Sequence, residues 1–392
     1  MASIRDDFSV QALGQGLLVA LVGYASSVAV VIQGLAAVGA TVSQIASALV
    51  VLGIAKGIVA IVLSWTMRMP ISIAWTTPGL ALLATTGAVA GGFPAAVAAF
   101  MVVGALIMLT GLWTPLGRLV AAIPKPIASA MLAGILLKLC LAPFMAIGKV
   151  PWLAAAVLVT WLVFMRLARG YAVPAAVTVA LVAMAFDHPF AGIAPGELIP
   201  HLEFVMPVFS WEAMVNIAIP LFIVTMAGQN LPGLAVLSAY DYRPRIAPAL
   251  LSTGAASVAG APFGMPTINL AAITAALCAG PDAHPDPSRR YIAGIFGGVG
   301  YVALAALAGI AAVLVARSPP VLIEAVAGLA LIGAFGGAML NAVQDEDGRL
   351  AGLVTFLVTA SGLSLFGVGS AFWGLVLGLV VHQVLRAGVR TR

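Results

Sequence analysis

Apolar runs recur along the whole chain, and they constrain its fold more than any other feature. Each run is near the roughly 20 residues that an α-helix needs to cross a hydrocarbon core about 30 Å thick. Hydrophobic residues make up 62% of the 392 residues and charged residues only 8%, whereas soluble domains have about 45–50% and about 25%. Such a chain has too few charges to cover a water-facing surface. The sequence therefore predicts an all-α integral membrane protein.

The first apolar run, from about Leu13 to Ala37, is followed by small residues typical of a signal-peptide cleavage site. A signal peptide, however, has an apolar core of only about 7–15 residues, which follows a basic segment. This run is longer and follows Arg5, Asp6 and Asp7. We therefore expect it to be a retained first span.

Breaks at charged, Pro-rich or Gly-rich joints divide the chain into fourteen candidate spans. With the amino terminus in the cytoplasm, fourteen of the eighteen Lys and Arg residues fall on the cytoplasmic side. Lys149 and Arg317 fall on the other side, and Lys56 and Lys138 lie inside spans. Basic residues are retained in the cytoplasm, so this split predicts an inner-membrane protein with both termini inside. It also explains the net charge of +5 without nucleic-acid binding.

The two halves of the chain match at two places, which suggests two inverted repeats of seven spans. Gly34-Leu35-Ala36 in the first span recurs as Gly233-Leu234-Ala235 in the eighth. The segment 77–81 in the third span matches the segment 267–271 in the tenth. An odd number of spans in each half inverts the topology of the second half.

Spans three and ten are predicted to be discontinuous, each with a short extended segment followed by a half-helix. Residues 71–77 are largely β-branched or aromatic, and Pro78 then opens a helical run, where a proline is well tolerated. In span ten, a Pro-rich segment (262–266) precedes a run that we expect to be helical from Thr267. Non-helical backbone at this depth requires a cavity or packed protein, and a helix N-terminus favours an anion. A pair of proline kinks is the alternative.

Polar side chains of the membrane interior concentrate in spans one, three, eight and ten, the pairs related by the repeat. A buried amide without a partner is strongly disfavoured in hydrocarbon, so each must form hydrogen bonds. Helix–helix contact would explain any one of them, but the cluster beside two helix openings favours a binding site for a small anion. The predicted substrate-binding residues are Tyr24, Ser26, Ser27, Thr76, Thr77, Pro78, Gln229, Asn230, Thr267 and Asn269.

Three charged side chains, those of Lys56, Lys138 and Glu324, lie within predicted spans. All three lie where they could reach an interface or a water-filled crevice. Glu324 is the single acid in a span interior, which makes it a candidate for proton coupling. The sequence contains no Ser/His/Asp grouping, phosphate loop or metal-ligand cluster, so we predict no catalytic residue, metal or cofactor. A gradient-driven transporter is therefore favoured over an enzyme.

Several long segments resemble the BenE family of benzoate/proton symporters. They are VGYASS at 22–27, AWTTPGLALLATT at 74–86, PLFIVTMAGQNLPGLAVL at 220–237, APFGMPTINLAAITAALC at 261–278 and AHPDPSRRY at 283–291. The resemblance implies proton-coupled import of benzoate or a related aromatic carboxylate by alternating access. It also implies a fourteen-span inverted-repeat fold similar to that of nucleobase permeases such as the uracil transporter.

The resemblance further implies a core domain that moves against a gate domain. The core would comprise spans 1–4 (residues 1–118) and spans 8–11 (residues 210–316). The gate would comprise spans 5–7 (residues 119–209) and spans 12–14 (residues 317–392). The substrate carboxylate would lie between the two half-helices, with its ring against apolar walls.

The chain differs from the related nucleobase permeases in one respect. Those permeases use acidic residues on spans eight and ten. The matching regions here contain Gln229, Asn230 and Asn269, which suits an anionic substrate because it removes like-charge repulsion. The proton would then travel on Glu324 or on the substrate itself. A nucleobase or an inorganic anion is the alternative cargo, and an anion channel is disfavoured because no pore-lining ring of like charge is found. The expected partners are a small aromatic carboxylate, protons and the lipid bilayer. The sequence is compatible with a homodimer but does not require one.

Overall fold

The computed structural model describes residues 7–187, 199–271, 273–316 and 320–389, which form α-helices and one pair of short β-strands. The elements of the first half are α1 (Val10–Ala25), α2 (Val28–Ala37), α3 (Val42–Met67), β1 (Ile73–Trp75), α4 (Thr77–Thr86), α5 (Gly92–Leu112), α6 (Thr114–Ala121), α7 (Lys125–Ile147), α8 (Pro151–Leu167) and α9 (Ala172–Asp187). Those of the second half are α10 (Trp211–Ala239), α11 (Ile246–Gly260), β2 (Ile268–Leu270), α12 (Ile273–Ala279), α13 (Tyr291–Ala305), α14 (Ala308–Ala316), α15 (Pro320–Val343), α16 (Glu346–Ala360) and α17 (Ser370–Val389). Four of the basic residues counted above to assign sides lie outside the described residues: Arg5, Arg317, Arg390 and Arg392.

Within the described ranges, seven helical segments are long and apolar enough to cross a membrane. They are α1 with α2, then α3, α5, α7, α10, α11 with the turn that follows it, and α15. Two shorter apolar helices are α8 and residues 370–386 of α17. These helices make the chain a mostly helical, multi-pass membrane protein, as its composition predicts, whereas the count of fourteen spans stays a prediction.

Helix α10 contains two π-helical turns, at Met214–Ala218 and Met226–Asn230. Each turn lies just before a proline, Pro220 or Pro232. A proline cannot donate a backbone hydrogen bond, and the π turn accommodates the resulting shift in helical register. The second turn contains the amides Gln229 and Asn230, so the widened helix presents two adjacent polar side chains to different surroundings.

The two strands pair antiparallel in the protein interior. The paired residues are Ile73 with Leu270, Ala74 with Asn269, and Trp75 with Ile268. Two further backbone hydrogen bonds extend the ladder: the Thr76 N–H donates to Thr267 O (3.3 Å), and the Ala271 N–H donates to Ser72 O (2.9 Å). This pairing satisfies backbone groups that no helix provides for. Helices α4 and α12 follow directly after the two strands.

The predicted helix start at Thr267 is wrong. Residues 268–270 form β2, and α12 begins at Ile273. The extended backbone is held by β1 on one side and by the Asn230 side chain, which accepts a hydrogen bond from the Leu270 N–H (2.9 Å). Both are long-range contacts that a local proline pattern does not reveal.

The proposed match of segment 77–81 with segment 267–271 is wrong for the same reason. The first segment is the start of helix α4, whereas the second contains strand β2. Antiparallel pairing centred on Ala74 and Asn269 instead makes β1 the counterpart of β2. The helix after β1 then corresponds to the helix after β2.

Glycines allow helices from the two halves of the chain to pack closely. Helix α3 packs on α13, and a Cβ built on Gly298 would lie 2.6 Å from the Gly57 carbonyl oxygen. Helix α5 packs on α11, and a Cβ on Gly254 would lie 2.7 Å from the Gly104 carbonyl oxygen. Small residues at membrane helix interfaces permit this close backbone approach.

We expect Gly298→Leu to destabilise the folded protein. Real Cβ atoms do not approach a carbonyl oxygen so closely, so α3 and α13 must separate. We expect this separation to lower the free energy of unfolding by about 1–3 kcal/mol. Thermal unfolding of the detergent-purified protein measures the loss. Gly336→Leu is the matched control because a Cβ on Gly336 in α15 meets nothing within 4 Å. Equal unfolding temperatures for the two variants would contradict the packing described here.

Candidate functional site

A cavity of about 130 Å³ lies where α1, β1, α4, α10 and α12 meet. Five of the ten predicted site residues line it: Ser26, Ser27, Thr77, Pro78 and Gln229. The cavity is comparable in volume to the roughly 150 Å³ engineered protein cavity that holds a benzene ring. Its size therefore suits a molecule built on a single ring.

The other five predicted residues, Tyr24, Thr76, Asn230, Thr267 and Asn269, are not among those that line the cavity. Asn230 and Asn269 are fully buried behind it, at the strands. Asn230 holds the Leu270 N–H, as described above. In the amide orientation that satisfies both of its ends, Asn269 donates to the Leu270 carbonyl (3.0 Å) and accepts from the Thr76 N–H (3.1 Å). These amides hold the strand backbone in place.

Three threonine hydroxyls join α10 to both strand segments. The Thr225 hydroxyl donates to the Thr76 hydroxyl oxygen (2.9 Å) and lies 3.5 Å from the Thr267 hydroxyl. Thr76 also caps α4, because its hydroxyl accepts from the Gly79 N–H (3.2 Å). All three threonines are fully buried. Their role is to position the cavity wall.

The N-terminus of α4 faces the cavity through Thr77 and Pro78 but has few free donors. Pro78 has no N–H, and the Gly79 N–H already donates to Thr76. A helix N-terminus still carries a partial positive charge, which favours a nearby anion. A carboxylate in this cavity would therefore need a further donor.

Lys56, in the middle of α3, supplies that donor. Its side chain lines the cavity and is only 1% exposed. The ammonium nitrogen lies 3.5 Å from the ring centroid of Trp75 and 3.6 Å from that of Tyr301. Lys56 therefore does not extend to an interface, as the sequence had allowed, but places a buried amine between two aromatic rings, which favour its protonated form.

Trp75 is fixed by a chain of hydrogen bonds. Its indole N–H donates to the Ser27 hydroxyl oxygen (2.8 Å), and the Ser27 hydroxyl donates to the Gly23 carbonyl (2.8 Å). The Tyr24 ring lies 5.5 Å from the Trp75 ring, between centroids. These contacts orient the indole face toward Lys56.

The remaining wall of the cavity is mostly apolar. Its apolar side chains come from α1, α12 and α15, together with a residue that follows β2. They are Val22, Ala271, Leu277, Ala330, Leu331 and Ala334. Sequence reasoning missed this wall because apolar residues, 62% of the chain, are too common to single out. It also missed Trp75, Thr274 and Tyr301, which only contacts between distant segments bring to the cavity. Lys56 carried a signal, a charge within an apolar run.

Glu324, the predicted proton-coupling residue, lies in the second turn of α15 with an exposed side chain. It is not among the residues that line the cavity. A second, larger cavity of about 300 Å³ is lined by Lys138, Glu212 and Asn216 among others. None of the ten predicted residues lines it. The smaller cavity is the better candidate because it combines a buried lysine amine, aromatic rings and a helix N-terminus.

Residues 6–384 match the family model described as "BenE: Benzoate membrane transport protein". The chain is 40% identical over 379 residues to the "Inner membrane protein YdcO" of Escherichia coli (strain K12), covering 94% of each chain. It is 33% identical over 393 residues to the "Benzoate membrane transport protein" of Acinetobacter baylyi (strain ATCC 33305 / BD413 / ADP1), covering 98% of each.

Two solved structures have a similar fold. The transmembrane domain of the cyanobacterial bicarbonate transporter BicA superposes with a TM-score of 0.59 at 16% identity, over 96% of this chain and 98% of that one. The structure of SLC26A9 superposes with a TM-score of 0.66 at 12% identity, over 98% of this chain and 67% of that one. At such identities the likeness concerns the fold alone.

We expect Asn230→Ala to lower the free energy of unfolding by about 1–3 kcal/mol, because it leaves the buried Leu270 N–H without its acceptor. Thermal unfolding in detergent checks this. Ser238→Ala in the same helix is the control, since the exposed Ser238 hydroxyl bonds only to the Leu234 carbonyl one turn earlier. If Asn230→Ala unfolds at the temperature of the control, Asn230 does not support the strand.

Proposed function

Because the chain belongs to the BenE family of benzoate membrane transport proteins, we propose that it imports benzoate or a related aromatic carboxylate together with protons. The observation that carries the proposal is the ring-sized cavity with a buried lysine amine at its wall. A carboxylate requires a positive partner when it leaves water, and an aromatic ring requires apolar contact. The cavity offers both.

The carboxylate is placed toward Lys56, within reach of the other polar groups that line the cavity. Among these groups are the hydroxyls of Ser26 and Thr77 and the amide of Gln229. The partial positive charge at the N-terminus of α4 adds to the attraction. The ring then lies toward the apolar wall that includes Leu331 and Ala334. Among the residues that the structure describes, none that lines the cavity has a carboxylate side chain, so the substrate meets no like charge from them.

Alternating access is supported by the way the helices are grouped. Helices α3 and α5 of the proposed core (residues 1–118 and 210–316) pack on α13 and α11 of the same core. Helices α7 and α15 of the proposed gate (residues 119–209 and 317–392) pack on each other. Because α15 contributes part of the cavity wall, its movement relative to the strands would open or close the site.

The proposed membrane arrangement has fourteen spans. The helices supply that number if four pairs of elements are each counted as one span and the short α6 is left out. The pairs are α1 with α2, β1 with α4, β2 with α12, and α13 with α14. In this arrangement spans three and ten are discontinuous at their strands. In the same arrangement, the protein lies in the inner membrane with both termini in the cytoplasm. The name of the Escherichia coli relative supports the inner-membrane location.

Uptake into proteoliposomes tests the proposed function. With an inward proton gradient, the purified protein should accumulate labelled benzoate above the level reached without the gradient. Addition of an uncoupler should abolish the excess. Absence of uptake and binding across a panel of aromatic acids would overturn the proposal, and competition by uracil or sulfate but not benzoate would identify another cargo.

We expect Ala334→Leu to reduce benzoate uptake by about tenfold or more. The larger side chain fills space that the ring requires, so the ring loses apolar contact with the cavity wall. Initial uptake rates at equal amounts of reconstituted protein measure the effect. Gly336→Leu, on the same helix but facing open space, serves as the control. Unchanged uptake by Ala334→Leu would place the ring elsewhere.

A further inference from the structure

We propose that Lys56 carries the coupled proton, in addition to binding the substrate carboxylate. This inference rests on the proposed function. Its basis is the position of the Lys56 amine at the cavity wall, between two aromatic rings, with no acidic side chain among the described residues that line the cavity. The amine is uncharged in the empty site and becomes an ammonium when the carboxylate binds.

The surroundings of Lys56 disfavour a permanent positive charge. Among the residues that the structure describes, none forms a salt bridge or a hydrogen bond with its side chain. The rings of Trp75 and Tyr301 stabilise an ammonium only modestly. A desolvated charge without a counter-ion costs several times more. An ammonium is therefore stable here only when an anion accompanies it.

The titratable groups around Lys56 do not supply that anion. Tyr301 faces it from α13, Tyr24 lies behind Trp75 from α1, and Cys278 of α12 lies near Tyr301. All three are buried and neutral at physiological pH. The substrate carboxylate is consequently the counter-ion that the site lacks.

These properties define a balanced transport cycle. In the outward-open state, a proton from the external water binds the Lys56 nitrogen as the carboxylate enters, and the two form an ion pair. The loaded site is neutral and can reorient at little electrostatic cost. On the cytoplasmic side the carboxylate leaves and the ammonium loses its proton to water. The empty carrier returns with an uncharged amine, so one proton accompanies each carboxylate and no net charge moves.

This assignment differs from the one made on sequence, which used Glu324 or the substrate itself. Glu324 is exposed on α15 and does not line the cavity, so its protonation would not depend directly on a bound carboxylate. Lys56 lies at the cavity itself, where substrate and proton stabilise each other. Coupling then needs no second site.

Lys56→Arg is the sharpest test. An arginine keeps a positive charge but cannot release its proton, so the empty carrier cannot return in a neutral form. We expect exchange of external labelled benzoate for internal benzoate to persist, while gradient-driven net accumulation falls to the level of protein-free liposomes. Lys138→Arg is the matched control, an exposed lysine of α7 that does not line the cavity. It should accumulate benzoate as the wild type does.

A measurement on the wild type keeps the inference testable if Lys56→Arg does not fold or exchange. Binding of benzoate at neutral pH should take up about one proton per bound molecule, by linkage between the two equilibria. Calorimetry in buffers of different ionisation enthalpy gives this number. No proton uptake by the wild type would overturn the inference.

The remaining outcomes separate the two proposals. Gradient-driven accumulation by Lys56→Arg equal to that of the wild type overturns the role of Lys56 and leaves the proposed function intact. Proton uptake that disappears in Glu324→Gln but persists in Lys56→Arg also overturns it, and assigns the proton to Glu324. A wild-type protein that neither binds nor transports any aromatic carboxylate overturns the proposed function itself.

Discussion

The antiparallel pairing of β1 with β2 is the interaction on which the rest of the site depends. A membrane interior offers no water to satisfy backbone N–H and C=O groups, so extended backbone there must find partners within the protein. The two strands provide them for each other, and the amide of Asn230 and the hydroxyl of Ser257 accept the N–H groups of Leu270 and Ile268. The start of α4 and the indole of Trp75 are positioned as a consequence.

The strands also explain why the polar residues divide into two groups. Side chains that hold the strands are buried among polar partners and leave no group free for a ligand, as in the hydrogen-bonded set of Thr76, Thr225 and Thr267. Neighbouring side chains of the same segments, such as Trp75 and Thr77, line the cavity together with Lys56. One layer is therefore structural, and the layer in front of it is available to bind a substrate.

A cation between aromatic rings suits a site that must bind and release an anion. A salt bridge to a protein carboxylate would stabilise Lys56 in every state and would compete with the substrate. Aromatic faces stabilise an ammonium more weakly than a carboxylate does, and they leave its hydrogen-bond donors free. The same rings add apolar surface beside the substrate. The protonated form of Lys56 is consequently stabilised mainly when the substrate carboxylate is bound.

The sequence by itself determined membrane residence, the general helical class and the family, because hydrocarbon thickness sets the length of apolar runs and long motifs are specific. Half of the ten residues that it singled out line the cavity, since polar residues in an apolar run are conspicuous. Only the tertiary structure decided that Thr267 precedes a strand rather than a helix, that Asn269 supports the strands without lining the cavity, and that Lys56 lies at the cavity wall. Each of these depends on contacts between segments some 40 to 250 residues apart, and local propensity contains no information about such contacts.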